Sequence, residues 1–343
     1  MKLLVTGATG FFGRAFLKFL SPMDGIEKMA AFARSESRLA QLSEEHREVD
    51  AYRPFLGDVR DYGRLVDACR GIDVVVHAAA LKRVDDGSYN PGEMVATNII
   101  GTQNVIRAAT EAGVPKVVFV SSDKAVAPIN VYGATKFCAE QFAISYNSVS
   151  AARGTSVCVV RYGNVIGSTG SVLEIWTRQR DAGKPLTITD PAMTRFLMSV
   201  KDACVLVFDA ARYAEAGDIV IPMLQSARLS DMAEAFAPGH PIKATGFRVG
   251  GEKVAEVLLN EDEERRALVL DIAGGTADYI PALRKNTVVV PPHNPPWTTD
   301  RPYATVPRGV RHLPYRSDMA PYLMENQDDV LKFIGKAFSE SYD

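Results

Sequence analysis

Histidine and cysteine are scarce in this sequence, with five and four among 343 residues. Cys69, Cys138, Cys158 and Cys204 stand far apart in apolar surroundings, without CxxC or Cys/His metal-ligand spacing. That excludes a zinc ribbon, a redox dithiol and a disulfide framework, so no metal is expected. It points instead to reduced core cysteines in a cytoplasmic protein. No apolar run approaches the length of a membrane span. Lys2 is followed by a short apolar run and then by glycines, unlike a secretory leader. Neither sign of charge dominates: 39 Lys and Arg face 41 Asp and Glu, for a net charge of -2. No electrostatic footprint for nucleic acid is present. A repeat at solenoid period is absent as well.

Apolar mass is what the chain has. Hydrophobic residues make up 47% of it, enough for a large α/β domain and a smaller lobe. Short β-branched runs alternate with amphipathic stretches. Strands are expected at 2–6, 28–33, 52–56, 73–77, 116–121 and 157–161, and helices at 13–20, 62–69, 94–112 and 132–147. The strands read as continuous apolar runs, as they do when both sheet faces are covered. Repeated β-α units predict right-handed crossovers and a Rossmann-type, doubly wound parallel sheet of the α/β class. The pattern weakens after Gly163, where Pro, Gly and Thr become frequent. The expected division is a nucleotide-binding domain at 1–165 with about 196–225, and a C-terminal substrate lobe at about 166–195 with 226–343.

The first strand leads into Thr6-Gly7-Ala8-Thr9-Gly10-Phe11-Phe12-Gly13. Gly7, Gly10 and Gly13 permit a tight turn, close approach of backbone to a pyrophosphate and close packing of helix on strand. Thr9, Phe11 and Phe12 complete the turn, and the helix N-terminus aims its N–H groups at phosphate. This is a dinucleotide-binding pattern. NAD sites place a carboxylate at the end of the second strand. Here that position reads Arg34-Ser35-Glu36-Ser37-Arg38, and Arg34, Ser35 and Arg38 suit a 2′-phosphate, so NADP is predicted. Asp58 and Val59, ending the third strand, would reach the adenine. Ala78, Ala79 and Ala80, ending the fourth, leave room for the dinucleotide.

An acid, an amine and a phenol gather in Ser122-Asp123-Lys124 and Tyr132. Lys136 follows at YxxxK spacing, which puts it on the same helix face as Tyr132. Its ammonium is expected to lower the phenol's pKa from about 10 and to bind the nicotinamide ribose. Of 12 tyrosines, only Tyr132 has a lysine four residues on. Such a cluster can oxidise a sugar hydroxyl and then draw a proton from the neighbouring carbon.

With these residues in view, the chain resembles the extended short-chain dehydrogenases/reductases. Within them it is similar to the inverting UDP-N-acetylglucosamine 4,6-dehydratases, which epimerise C5 and begin pseudaminic acid synthesis. The resemblance is carried by TGATGFFG, GDVRD (57–61), HAAALKRV (77–84), YNPGEMVATNIIGTQNVI (89–106), SSDKAVAPINVYGATK (121–136), RYGNVIGSTGSV (161–172) and ITDPAMTRFLMS (188–199). FRVGGEKVAEVL (247–258) matches more loosely, and Tyr315-Arg316-Ser317-Asp318 is a further echo. The resemblance implies that Ser122 bonds the sugar O4 and that Tyr132 takes the O4 proton. It makes Lys124 the base at C5 and Asp123 the acid at the departing C6 hydroxyl. It places Asn98 on the cofactor side and Lys82, Asn164, Arg195, Arg248 and Glu252 around a UDP-sugar. It also implies a homo-oligomer. Ser122 stands where the family usually has threonine, and Ala127 where asparagine is frequent. Segment 248–256 has one extra residue and lacks a histidine. The alternatives are an NDP-sugar 4-epimerase or another nucleotide-sugar dehydratase of the same family and, outside catalysis, an NADP-sensing regulator.

Overall fold

Runs such as Leu3-Leu4-Val5 and Val117-Val118-Phe119 are almost completely buried, and they form the middle of a sheet covered on both faces. The computed structural model describes residues 1–247, 250–269, 287–292, 315–319, 323–324 and 326–342. Strands β1 (Lys2–Thr6), β2 (Lys28–Ala33), β3 (Tyr52–Leu56), β4 (Val74–His77), β5 (Lys116–Val120) and β6 (Ser156–Val160) are parallel, in the order β3-β2-β1-β4-β5-β6. Between them run α1 (Phe11–Leu20), α2 (Glu36–Glu45), α3 (Tyr62–Cys69), α4 (Val84–Tyr89), α5 (Pro91–Met94), α6 (Gly101–Glu111), α7 (Val131–Ser145) and α8 (Asn147–Ser150). The single helix expected at 94–112 is assembled from α5, a π-helical stretch at Val95–Ile100, and α6.

The rest of the chain returns to this sheet more than once. After β7 (Asn164–Val165), α9 (Val172–Asp181), β8 (Leu186–Ile188) and β9 (Thr194–Met198), helix α10 (Val200–Tyr213) packs on the main core. Strand β10 (Ile219–Pro222) lies parallel beside β6. Next come β11 (Gln225–Arg228), α11 (Leu229–Phe236), β12 (Ile242–Ala244), α12 (Glu261–Arg266), β13 (Leu268–Val269), β14 (Thr287–Val290) and α13 (Gln327–Tyr342). Strands β14 and β13 add antiparallel to the edge at β10 and bring the central sheet to nine strands. The expected lobe of 226–343 is therefore corrected, because part of it belongs to the main sheet. The lobe has its own core, with Trp176, Leu186, Ile188, Met232 and Ile334, around the sheets β11-β9-β7 and β12-β8. The cysteine expectation needs one correction too: Cys69, Cys158 and Cys204 are buried, but Cys138 is exposed.

Arg161, which follows β6, ties α7 to α12 and the chain before it. It is 2% exposed, and its guanidinium donates to both oxygens of Glu140 on α7 (3.1 and 2.7 Å) and both oxygens of Glu263 on α12 (2.8 Å each). A further bond goes to the Leu258 carbonyl at 2.8 Å. Such a fork-on-fork geometry is what makes a buried charge tolerable.

Candidate active site

The glycine turn is built by close contact. Gly7 has φ +71°, and a Cβ there would lie 2.8 Å from Ala79 Cα. A Cβ on Gly13 would lie 2.4 Å from the Gly7 carbonyl oxygen. Glycine is thus required for α1 to start directly over the end of β1, beside Ala78–Ala80. Gly10 is the N-cap of α1 and brings no side-chain cap, so the helix end presents backbone to an anion. This cradle fits a dinucleotide pyrophosphate. Below it, Thr6 Oγ1 and His77 Nδ1 are 2.7 Å apart, and His77 Nε2 and Thr102 Oγ1 3.0 Å. Thr102 donates to the Asn98 carbonyl, so it accepts from Nε2, and Nδ1 accepts from Thr6. Burial, helped by the Lys136 charge, pulls the His77 pKa down to about 3 and keeps the ring neutral.

Arg34 and Arg38 are exposed at the N-terminus of α2, where the Ser35 hydroxyl accepts from the Arg38 N–H as N-cap. Asp58, with Arg34 among the charges acting on it, is gripped by the Arg60 guanidinium at 2.7 Å. That bond holds its carboxyl below the usual range. Val59 is buried. The Asn98 side chain is engaged with the chain itself: it donates to the Leu81 carbonyl (2.9 Å) and to Thr135 (3.0 Å), and accepts from the Leu81 N–H (2.8 Å). It braces loop 78–82 against α7.

The acid, amine and phenol do meet. Residues Asp123–Ala125 form a short 3-10 turn, with Ser122 as its cap. A Cβ at position 133 would lie 2.4 Å from the Lys124 carbonyl oxygen, so Gly133 is what lets α7 bring Tyr132 over this turn. The Ser122 hydroxyl donates to Asp123 Oδ1 at 2.7 Å. Lys124 Nζ contacts Asp123 Oδ2 at 2.9 Å, Asn164 Oδ1 at 2.7 Å and Glu256 Oε1 at 3.3 Å. Burial lifts the Asp123 carboxyl above the usual range despite Lys124. Burial opposes charge on Lys124, but Asp123 and Glu256 outweigh it and raise its pKa. Lys124 is therefore a cation at rest.

Two expectations need correction. Lys136 was expected to lower the phenol pKa. Instead its Nζ turns inward to the Val120 carbonyl (2.7 Å) and lies 4.1 Å from the Phe119 ring centroid. Burial pulls its pKa down to about 7, and burial raises that of Tyr132. The groups that oppose the rise at Tyr132 are Lys124 and a Ser122 hydrogen bond. Arg195 was expected to face the UDP-sugar. Its guanidinium instead donates to the carbonyls of Thr194 (2.8 Å) and Lys253 (3.0 Å), 3.9 Å from both Glu252 and Glu256. These contacts make it a clamp on the 252–256 loop. Lys82 is exposed in part, and burial of the rest pulls its pKa below the usual lysine value against the opposing charge of Glu174 on α9. Arg248 lies outside the described residues.

The chain has known relatives. Residues 3–272 match the family described as polysaccharide biosynthesis protein. The chain belongs to this family of extended short-chain dehydrogenases/reductases. Among curated members, it is 39% identical to the UDP-N-acetylglucosamine 4,6-dehydratase (inverting) of Campylobacter jejuni, over 76% of this chain and 78% of that protein. It is 40% identical to the UDP-glucose 4-epimerase of Rickettsia bellii, over 77% and 79%. Among solved structures, Pen from Bacillus thuringiensis superposes with a TM-score of 0.85 at 32% identity, covering 98% of this chain and 97% of that one. The dTDP-glucose 4,6-dehydratase DesIV of Streptomyces venezuelae, solved with NAD and TYD bound, shares the fold at TM-score 0.67 and 24% identity, over 77% of this chain and 90% of that one.

Sequence reading of this family member passed over Glu256, Lys253 and Ser317. Glu256 is 3% exposed and reaches Lys124, and Lys253 Nζ is 3.4 Å from Glu256 Oε2. The Ser317 hydroxyl accepts from the Glu256 N–H at 2.8 Å. The available signal was the acidic residue closing GEKVAE, within a segment already matched to the family.

Proposed function

We propose that the chain is an NADP-dependent, C5-inverting UDP-N-acetylglucosamine 4,6-dehydratase, a hydro-lyase giving a UDP-4-keto-6-deoxy-hexosamine. The observation that carries this reading is the contact of the buried Asp123 with the part-buried Lys124, close to Tyr132. Redox chemistry at one hydroxyl needs Tyr132; losing water from the adjacent carbons needs an acid and a base as well. When bound, the dinucleotide accepts hydride from C4 and returns it to C6. The residues to hold it are Gly7, Thr9, Gly10, Phe11, Phe12 and Gly13, with Ala78–Ala80, Asp58 and Val59 along its length. Arg34, Ser35 and Arg38 at the α2 N-terminus support the 2′-phosphate and hence NADP.

Tyr132, once ionised, takes the O4 proton, and Ser122 holds O4. The C4 ketone makes the C5 proton acidic. Lys124, as the free amine, removes it, and Asp123 protonates the C6 hydroxyl as it leaves. Protons leave from O4 and C5, and protons return to the leaving hydroxyl and to the opposite face of C5, so the balance closes on one water. Asn164 and Lys82 line the sugar side, and Glu252 stands behind Arg195. NMR and mass spectrometry of the product from UDP-N-acetylglucosamine in deuterated water test this. A product lighter by one water, with inverted and deuterated C5, is expected. An isobaric product would sink it and favour the 4-epimerase reading that the Rickettsia relative supports.

The protein is further proposed to be a cytoplasmic homo-oligomer. Its four unpaired cysteines fit a reducing compartment. Exposed Val95, Ile100 and Phe137, on helical segments that pack together, offer apolar surface to a second copy. Among the described residues no helix is long and apolar enough to cross a membrane.

A further inference from the structure

The Lys124 ammonium has three hydrogens and three oxygen partners, on Asp123, Asn164 and Glu256. Each comes from a different segment: the turn after β5, β7, and the loop before α12. Glu256 is not held by chance. Its N–H bonds Ser317, and the Ser317 N–H returns to the Glu256 carbonyl at 2.9 Å. The Ser317 hydroxyl is in turn 2.7 Å from that of Thr194. This brace holds the Glu256 carboxylate against Lys124.

We infer that Glu256 is a positioning residue that keeps one proton shared between Lys124 and Asp123. A single transfer along their 2.9 Å contact then arms a base and an acid together. The step breaks one N–H bond of Lys124 and forms one O–H bond on Asp123, so two charges become two neutral groups. The amine then takes the C5 proton and the acid gives its proton to the departing hydroxyl. Both groups end as they began, ammonium and carboxylate, with no proton drawn from elsewhere. This inference rests on the dehydratase reading for its use, not for the state of the proton.

The charges facing Lys124 are Asp123 on its own turn, Glu256 and Lys253 on the loop, and Arg195 on β9, backed by Glu252; Tyr132 faces it from α7. Removing the Glu256 charge leaves Asp123 as the sole carboxylate in contact with Lys124 among the described residues. Both titration steps of the pair, gain of a proton by Asp123 and loss of the shared one, would then fall to lower pH, since a nearby anion raises the pKa of an acid and of an ammonium alike.

The test is an NMR titration of isotope-labelled lysine, with Lys124 assigned through Lys124→Arg, alongside the pH profile of kcat/KM. In the wild type Lys124 should titrate above the ordinary lysine value of about 10.4; a lower value overturns the inference without any variant. In Glu256→Gln the Lys124 titration should fall by about one unit or more, and both limbs of the activity profile should move acidward together. In Glu256→Asp, which keeps the charge, the limbs should stay near wild type. A folded Glu256→Gln with unmoved titration and limbs overturns the proposal. If the titration moves but no water is ever lost from the sugar, the dehydratase reading fails and the hold of Glu256 on the proton stands.

Discussion

Replacing Arg161 with methionine tests the physical account of how α12 is tied to α7 across the main core. The guanidinium makes four charge-assisted bonds to Glu140 and Glu263 and one to a backbone carbonyl, at 2% exposure. Methionine fills much of the volume but leaves two carboxylates together, out of water, without a counter-charge. Breaking a buried pair in this way costs about 3–5 kcal/mol. The sign of the pH effect follows from proton binding. The stranded carboxylates are relieved by holding a proton that the unfolded chain has already released. The variant's stability is therefore kept at low pH and lost as pH rises past the ordinary carboxylate range. Urea unfolding of wild type and Arg161→Met at pH 5.5 and pH 8 measures this. The destabilisation should approach the full amount at pH 8 and be clearly smaller at pH 5.5. Adding Glu140→Gln and Glu263→Gln should remove the difference between the two pH values. Equal destabilisation at both pH values, or less than about 1 kcal/mol at pH 8, would refute the claim that the triad is dry.

Tyr132→Phe should block the first hydride transfer, so stopped-flow absorbance should show no reduced cofactor even transiently. Arg34→Ala should weaken NADP binding by roughly tenfold or more while leaving NAD within about twofold, as isothermal calorimetry can read, because only NADP offers the phosphate to its fork. Ala127 is the one non-glycine described residue with positive φ, at 44°, and it is exposed. Asparagine tolerates that region better, so Ala127→Asn should stabilise the fold by about 1 kcal/mol and raise Tm by about 2 °C in a thermal melt.

The first three strands were legible in the sequence to the residue: β1 and β2 are largely apolar runs, and β3 is bounded by aromatic and apolar ends with Gly57 closing it. The glycine turn was legible from its spacing after a strand, and the closeness of Tyr132 to Asp123 and Lys124 from their short separation along the chain. Strands β10, β13 and β14 were not read. Each has two to four residues, and what makes it a strand is a partner far along the chain or on another segment. The inward turn of Lys136 escaped the reading because YxxxK specifies a shared helix face and nothing about the carbonyl and ring waiting beneath it. The resemblance placed Arg195 at the UDP-sugar, yet folding spends its fork on the backbone carbonyls of 194 and 253–254.

By itself, the order of residues determined the sheet's parallel half, the dinucleotide cradle and the presence of an acid, a base and a phenol near one another. Those features depend on local backbone geometry and on spacing within one element. Only the tertiary structure decided the charge of each group. Lys124 meets Glu256, and Arg161 meets Glu263, across more than a hundred residues of chain. The energy of such pairs is set by distance and by the exclusion of water, which exist only once the chain has folded.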